Sequence, residues 1–250
     1  MVRYSLLLSD EAVEMDALVG NELAVRFTGE LTCVSCGKRV KKFYGQGFCF
    51  PCLRDAPEAS ECIVRPELCR AHLGEGRDAQ WEKDHHHQEH FVYLSQTGGI
   101  KVGVTRSTQI PVRWIDQGAV AAVIIARVPY RHLAGLIEVQ LRKVFADKTV
   151  WRAMLKPVTP DLGALGQARK KAMEALAYEL GAYALPDETP QVITYPVKGF
   201  PEKIASVNLE RVGEVGGRLA GIKGQYLIWE DGRVLNVRNH SGYHVELSMA

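Results

Sequence analysis

The spacing of hydrophobic residues in the centre of the chain predicts a small α/β arrangement. HFVYLS, which begins at His90, and IKVGVTR, which begins at Ile100, alternate apolar and polar positions on either side of QTGG. This pattern predicts two strands joined by a glycine-containing turn. The apolar run AVAAVIIA, from Ala119, predicts a third, buried strand, and YRHLAGLIEVQLRKVF then places its apolar residues on one face of a helix. Ser107 or Thr108 is expected to cap a short helix before the third strand.

The two ends of the chain have different patterns. The first thirty residues alternate weakly, which suggests strands. Thr159 and Pro160 open an amphipathic segment that runs to about Leu180 and predicts a connecting helix. From Gln191 onward, short β segments alternate with turns such as the one at Gly232. This last part is predicted to be a small antiparallel sheet or barrel.

The composition is that of a folded globular protein. Of the 250 residues, 46% are hydrophobic and 24% are charged, and this length predicts two or three modules. The longest apolar run, residues 119–126, is too short to cross a bilayer, and no apolar leader opens the chain. We therefore expect a cytoplasmic protein without a membrane partner. The formal net charge of +2 provides no overall attraction for nucleic acid, so any such binding depends on local basic patches.

Four cysteines near the start of the chain form two Cys-x2-Cys pairs separated by twelve residues. They are Cys33, Cys36, Cys49 and Cys52. Paired turns of this spacing bring four thiolates to tetrahedral range, which is typical of a structural zinc site of the ribbon type. The alternatives are four free thiols or two disulfides, and a reducing cytosol disfavours the disulfides.

The loop between the two cysteine pairs is basic and aromatic. Four cations adjoin Phe43 and Tyr44 in this loop, namely Lys38, Arg39, Lys41 and Lys42. These cations are predicted to bind the phosphates of DNA or RNA. The alternative is an ordinary solvated loop.

Two further cysteines, Cys62 and Cys69, precede the histidine-rich sequence DHHHQEH. Thiolate and imidazole ligands together suit zinc, and His86 and His90 are four residues apart, as on one face of a helical turn. We therefore predict a second zinc site on Cys62, Cys69, His86 and His90, so that the chain holds one or two zinc ions. The alternative is a solvated histidine stretch next to two cysteines that are buried as small hydrophobic residues.

The segment FVYLSQTGGIKVG, residues 91–103, resembles the two-strand signature of the GIY-YIG nuclease superfamily. Arg113 and Glu138 stand where that superfamily has an arginine on its first helix and a metal-binding glutamate on a later helix. The resemblance covers roughly residues 91–150 and implies a compact α/β core that cleaves phosphodiester bonds with Mg²⁺. It also implies that Tyr93 helps to deprotonate water, that Arg113 steadies the phosphate and that Glu138 holds the Mg²⁺.

The signature has two departures from the superfamily pattern. Phe91-Val92 replaces Gly-Ile before the first tyrosine, and Lys101 takes the place of the second tyrosine. A branch of the superfamily that is common in phages resembles this chain in carrying lysine there, and Lys101 would then contact phosphate as a point charge. These changes favour retention of the fold over retention of catalysis.

Each of these residues also has an ordinary structural interpretation. Tyr93 in a strand is commonly a packed aromatic residue, and Arg113 can lay its stem along the apolar surface of Trp114. Glu138 precedes Arg142 by four residues, which is the spacing of an exposed helical ion pair. Only the joint occurrence of these residues in the expected order favours a site.

Nearly the whole chain is similar to a bacterial family known only as a domain of unknown function. The segments that carry this similarity are RPELC, KVGVTR, RWIDQGA, WRAMLK and GIKGQYLI. The similarity implies no activity.

Together these patterns predict an α+β protein with an N-terminal β segment and zinc ribbon, a GIY-YIG-like α/β core and a small C-terminal antiparallel β module. The expected domains are the β segment and ribbon (residues 1–60), the second metal region (61–90), the GIY-YIG-like domain (91–158), a helical connector (159–185) and the C-terminal module (186–250). The expected function is Mg²⁺-dependent cleavage of DNA or RNA, and this expectation includes a degenerate nuclease that has lost catalysis. A non-catalytic nucleic-acid-binding protein and a zinc-stabilised protein scaffold remain as alternatives.

Overall fold

The computed structural model describes residues 1–8, 11–176 and 178–249, which form a mixed α+β structure as predicted. Its strands are β1 (Ser5–Leu8), β2 (Glu11–Glu14), β3 (Glu22–Thr32), β4 (Arg39–Val40), β5 (His90–Gln96), β6 (Ile100–Arg106), β7 (Ala121–Val128), β8 (Gln191–Val192), β9 (Ala205–Ser206), β10 (Glu214–Lys223), β11 (Tyr226–Trp229), β12 (Arg233–Asn236) and β13 (Tyr243–Met249). Its α-helices are α1 (Phe50–Asp55), α2 (Ala79–His85), α3 (Val112–Asp116), α4 (Arg131–Leu141), α5 (Trp151–Met154), α6 (Leu162–Ala175), α7 (Tyr178–Gly181) and α8 (Leu209–Val212). Within the described ranges, no helix is both long enough and apolar enough to cross a membrane.

The chain divides into two compact units. The first comprises the described residues of Met1–Arg54, Leu155–Pro157 and Thr194–Ala250. The second comprises those of Asp55–Met154 and Val158–Ile193. Each unit has its own sheet and its own hydrophobic core.

The first unit is built on a sheet with the strand order β13-β3-β10-β11-β12-β9, to which β4 adds at the end of β3. The long strand β3 pairs antiparallel with both β10 and β13, so residues from the two ends of the chain share this sheet. Only β9 is parallel to its neighbour, β12, among the paired strands described in this unit. Trp229 is buried against this sheet, and its indole N–H donates a hydrogen bond to the Leu23 carbonyl at 3.0 Å.

The second unit is built on an antiparallel sheet with the strand order β6-β5-β7-β8. Apolar residues of the strands pack against α4 and α6 on one face of this sheet, and the buried members include Val92, Leu94, Val102, Ile137, Leu141, Leu165 and Ala172. A smaller cluster joins Tyr93 of β5 to Trp114 of α3. The sheet is thus covered by helices that follow its strands in the chain.

The central prediction of a hairpin, a short helix, a third strand and a further helix corresponds to β5, β6, α3, β7 and α4. Two of the differences between the structure and the predicted domain boundaries concern the cores of the units. The segment 159–185, predicted as a connector, contributes α6 to the core of the second unit, because Leu165, Ala168 and Ala172 recur on one face of that helix. The N-terminal and C-terminal β segments, predicted as separate modules, form one sheet, because pairing between distant strands leaves no local sequence signal.

Candidate functional site

The four cysteines of the two Cys-x2-Cys pairs lie together in the first unit, and their sulfur atoms are all within 4.8 Å of one another. Cys33 follows β3, Cys36 lies in the turn before β4, and α1 carries Cys52. Gly37 ends the first turn with a φ of 68°, which glycine adopts without strain, and its N–H donates to the Cys33 carbonyl at 3.0 Å. All six cysteines of the chain are free thiols, so the alternative of two disulfides is wrong.

The electrostatics of this cluster are those of a cation site. The sulfurs of Cys36 and Cys49 are 3.9 Å apart, and the Cys49 N–H donates to the sulfur of Cys33 at 3.3 Å. Burial acts to raise the pKa of Cys33, but nearby backbone N–H groups outweigh it and lower that pKa to about 6. The adjacent thiol of Cys49 raises the pKa of Cys52 to about 12. Four sulfurs at this range cannot all be anionic without a cation among them, so the donor set could hold a zinc ion.

The loop between the cysteine pairs presents its charged and aromatic side chains to solvent. The predicted phosphate-binding residues Lys38, Arg39, Lys41 and Lys42 are all exposed. Arg39 pairs with Glu30 at 3.0 Å, and the ammonium of Lys42 lies 4.8 Å from the centre of the Tyr44 ring. Tyr44 is 50% exposed and meets Phe50, 55% exposed, edge to face at 5.4 Å between ring centres. We call this set, the four cations with Tyr44 and Phe50, the knuckle surface.

Phe50 was not among the residues predicted to bind nucleic acid. Its sequence position next to Cys49 gave only a weak signal, because an aromatic residue there packs inward as readily as it points outward. Its neighbour on the other side of Cys49, Phe48, is in fact buried. Exposure, which sequence alone does not give, separates the two.

A second group of metal-ligating side chains lies in the second unit. Ligand atoms of Cys62, Cys69, Glu82 and His86 are within 4.8 Å of one another. Helix α2 places Glu82 and His86 one turn apart, so that Nδ1 of His86 contacts the Glu82 carboxylate and faces the sulfur of Cys62 at 3.8 Å. Three of the four residues predicted for the second zinc site are therefore together.

His90, the fourth residue predicted for that site, is not in this group. Its Nδ1 donates to the Gln88 carbonyl at 2.7 Å. The prediction assumed that helical spacing continues from His86 to His90, but α2 ends at His85 and β5 begins at His90. The fourth member of the group is Glu82, whose spacing of four residues from His86 within one helix was the sequence signal that could have identified it.

Tyr93 lies in the central strand β5 and is fully buried. Its ring covers Gly103 of β6, where an added Cβ would lie 2.6 Å from the Tyr93 hydroxyl oxygen. The hydroxyl donates to Oε1 of Gln117 at 3.0 Å, and the ring packs edge to face on Trp114. Burial raises the pKa of Tyr93, against an opposing effect of Arg113. These contacts favour the interpretation of Tyr93 as a packed aromatic residue, because a buried phenol of raised pKa is a poor base at neutral pH.

Lys101 is buried, with 5% of its surface exposed, and lies opposite Ser95 in the β5–β6 hairpin. Burial lowers the pKa of Lys101 to about 8; the positive charge of Arg113 adds to this effect, and Glu138 opposes it. Arg113 and Glu138 also influence the pKa of Tyr93. The four residues predicted as catalytic are therefore close enough to interact electrostatically.

Glu138 is buried on α4, and this burial raises its pKa. Arg142 opposes the rise from 2.9 Å away, and Arg142 also pairs with Asp147 at 3.2 Å. The helical ion pair that the four-residue spacing suggested is thus present, but its glutamate is buried rather than exposed. The carboxylate predicted to hold Mg²⁺ already has a cationic partner.

The fold and the two cysteine clusters define a mixed α+β protein with two separate sites suited to a thiophilic metal. The chain belongs to the family described as "Protein of unknown function (DUF2797)", whose model matches residues 20–245. The predicted membership of such a family is confirmed. No curated protein and no solved structure matches this chain.

We expect the Lys101→Met variant to be more stable than the wild type at pH 7. The folded-state pKa of Lys101 is about 8 against an ordinary 10.5, so the folded protein carries a poorly solvated charge that costs at most about 3 kcal/mol. Below pH 8 both the folded and the unfolded chain are protonated and the full cost applies. As the pH rises from about 8 to 10.5 the folded state releases its proton first, so the cost disappears.

Urea titrations at pH 7 and pH 10 measure this difference in the free energy of unfolding. The matched control is Lys148→Met. Because Lys148 is exposed, the difference in the free energy of unfolding between this variant and the wild type should not depend on pH. A gap between wild type and Lys101→Met that is equal at both pH values would contradict the prediction.

Proposed function

We propose that this protein binds nucleic acid, DNA or RNA, through a knuckle surface that zinc holds in place. The observation that carries the proposal is the exposure of Tyr44 and Phe50, whose rings meet next to the cysteine pairs, with the ammonium of Lys42 4.8 Å from the centre of the Tyr44 ring. Ammonium groups neutralise phosphates, and exposed aromatic rings stack on unpaired bases. Because the net charge of the chain is only +2, the attraction comes from this local surface.

The lysines distinguish a nucleic acid from a protein as the partner of this surface. Aromatic residues are enriched at protein interfaces as well, but lysine is depleted there. The ammonium of Lys42 lies over the Tyr44 ring, 4.8 Å from its centre. This arrangement suits a ligand that offers both phosphates and flat bases, which favours nucleic acid over the protein-scaffold alternative.

Zinc is the metal that this proposal assigns to Cys33, Cys36, Cys49 and Cys52. Four thiolates saturate a tetrahedral ion and leave no position for a substrate, so the ion cross-links the two turns without taking part in chemistry. The knuckle surface lies on the loop that these turns close. Loss of the metal should therefore disorganise the surface.

Zinc content should fall by one ion per chain in the Cys49→Ser variant, and its first unit should unfold at lower denaturant concentration, because metal binding and folding are coupled. Mass spectrometry of the purified protein gives the metal content. The control Ser35→Ala keeps all four sulfurs and should keep the zinc. A folded wild type that contains no metal would sink the assignment.

Binding should weaken in two distinguishable ways when the knuckle surface is altered. Joint replacement of Lys38, Arg39, Lys41 and Lys42 by alanine should flatten the dependence of log K on log salt by up to about 3 for single strands, since each phosphate contact contributes about 0.7. Replacement of Tyr44 and Phe50 by alanine should weaken binding to single strands by roughly 1–3 kcal/mol per stacked base and leave the salt slope unchanged.

Fluorescence anisotropy with labelled single- and double-stranded DNA and RNA provides both measurements. The matched control replaces four other exposed lysines, namely Lys83, Lys148, Lys170 and Lys203, which changes the net charge by the same amount. Equal losses in the two four-cation variants would argue against a specific surface. Absence of binding by the wild type at low salt would leave the protein-scaffold alternative.

Cleavage of the bound strand by the second unit is the competing proposal. One argument for it is that Arg113 and Glu138 affect the pKa values of both Tyr93 and Lys101. Another is that the unit has an antiparallel hairpin, a helix, a strand and a helix in the order that the GIY-YIG resemblance implies. The donor set fits Mg²⁺ poorly, because Glu138 and Asp147 both pair with Arg142. The buried Tyr93 likewise lacks the access that a base requires. We therefore favour the degenerate form, which binds without cutting.

Incubation of labelled nucleic acid with Mg²⁺ should give no product above the level of the Glu138→Gln variant, and this variant should bind as the wild type does. The reason is an asymmetry: cleavage needs every catalytic group in place, whereas binding sums several phosphate contacts. Gel electrophoresis with and without chelator is the measurement. Cleavage by the wild type that Glu138→Gln abolishes would establish the nuclease instead.

A further inference from the structure

The segment of residues 57–73, in the second unit, has almost no hydrophobic core. It consists of four successive 3-10 helices, Pro57–Ala59, Glu61–Ile63, Pro66–Leu68 and Ala71–Leu73. Its buried apolar residues are Pro66, Cys69 and Ala71. Its larger apolar residues Val64, Leu68 and Leu73 are exposed. Burial of such small side chains contributes little against the conformational entropy of ordering a segment of this length, so polar contacts must fix it.

One set of these contacts comes from α4. The guanidinium of Arg131 donates hydrogen bonds to the carbonyl oxygens of Cys62 and Ile63 at 2.8–3.0 Å. One turn further on, Gly135 allows the backbone of the segment to approach closely, because an added Cβ would lie 2.2 Å from the backbone nitrogen of Glu67. The segment is therefore held against α4 on one side.

The other set is the group formed by Cys62, Cys69, Glu82 and His86. The side chains of Glu82 and His86 are only 6% and 3% exposed. The Glu82 carboxylate is buried beside two sulfurs and contacts the imidazole of His86, which is itself a metal-ligating group, while Arg131 donates to backbone carbonyls. Gly76 keeps space for the carboxylate, since an added Cβ would lie 2.3 Å from Cγ of Glu82. Two sulfurs, one imidazole and one carboxylate within 4.8 Å are a donor set that zinc takes in tetrahedral geometry.

This group is more buried than the four-cysteine site, since three of its four residues are buried, and it meets solvent at one cavity. An open cavity of about 270 Å³ is lined by Cys62 and Glu82, together with Arg70 and Arg77. Arg70 is held by Glu75 through two hydrogen bonds of 2.6 and 2.9 Å. Glu82 lines this cavity although its side chain is only 6% exposed, so the cavity is the route by which a chelator would reach the metal.

We propose that Cys62, Cys69, Glu82 and His86 form a second zinc site, which fixes residues 57–86 against α4 and exchanges its metal through the cavity. Zinc in this site joins three stretches of chain that the hydrophobic core does not hold, namely those that carry Cys62, Cys69, and Glu82 with His86. The site is independent of nucleic-acid binding, and nucleic acid is absent from every arm of its test.

Zinc content of the full-length protein decides the composition of the site. The wild type should contain two zinc ions per chain, and Cys69→Ser and Glu82→Gln should each contain one. The controls Glu61→Gln, a carboxylate that lines the same cavity, and His90→Gln should keep both. A single zinc in the wild type that Cys69→Ser does not reduce would overturn the proposal. Loss of the second zinc in His90→Gln but not in Glu82→Gln would overturn the assignment of Glu82.

Trypsin digestion of the wild type provides a readout that does not depend on any variant being folded. Chelation should remove both zinc ions, and cleavage after Arg70, Arg77 and Lys83, which are all exposed, should accelerate once the zinc of the second site is lost. Restored zinc should restore protection. Unchanged cleavage at these sites after all of the metal has been removed would show that zinc does not hold the segment.

Discussion

The cysteine-bearing turns bury too little apolar surface to be stable by hydrophobic packing alone. The chain therefore contains two kinds of structure, sheets with a hydrophobic core and turns without one. The sheets have hydrophobic cores of their own. In the second unit, for example, Val92, Leu94 and Val102 are fully buried against helices. The turns between β3 and α1 and the 3-10 helices of residues 57–73 bury few side chains, and those are mostly small or are cysteines. In both places free thiols converge from separate stretches of chain. Metal coordination can replace a hydrophobic core in segments of this size, and both groups have the ligands for it.

The elements that could be predicted from the sequence are those whose signal is local. The β5–β6 hairpin follows from alternation on either side of Gly98 and Gly99, and α4 follows from apolar residues at helical spacing. The partner of β3 could not be predicted, because β10 and β13 pair with it from the far end of the chain. The short strand β8 was likewise assigned to the C-terminal module, whereas it pairs with β7. Two residues of strand carry too little pattern to specify a partner.

The members of the candidate metal sites could be predicted where their spacing in the sequence brings them together. Both Cys-x2-Cys pairs converge as expected, because two cysteines three positions apart occupy one tight turn. Glu82 was missed because a carboxylate next to histidines reads as an ordinary surface charge until its burial is known. The role of Tyr93 could not be predicted either. Order along the chain places it beside Arg113, but only packing shows that its ring covers Gly103 and that its hydroxyl is bonded to Gln117.

The residues of the second unit do not leave free the groups that cleavage would require. Lys101 is buried, and the positive charge of Arg113 adds to the effect of this burial in lowering the pKa of Lys101. Cleavage needs a base and a free carboxylate for the metal. Tyr93 and Glu138 are the residues predicted for those roles, and each already has a partner: the Tyr93 hydroxyl donates to Gln117, and Glu138 pairs with Arg142.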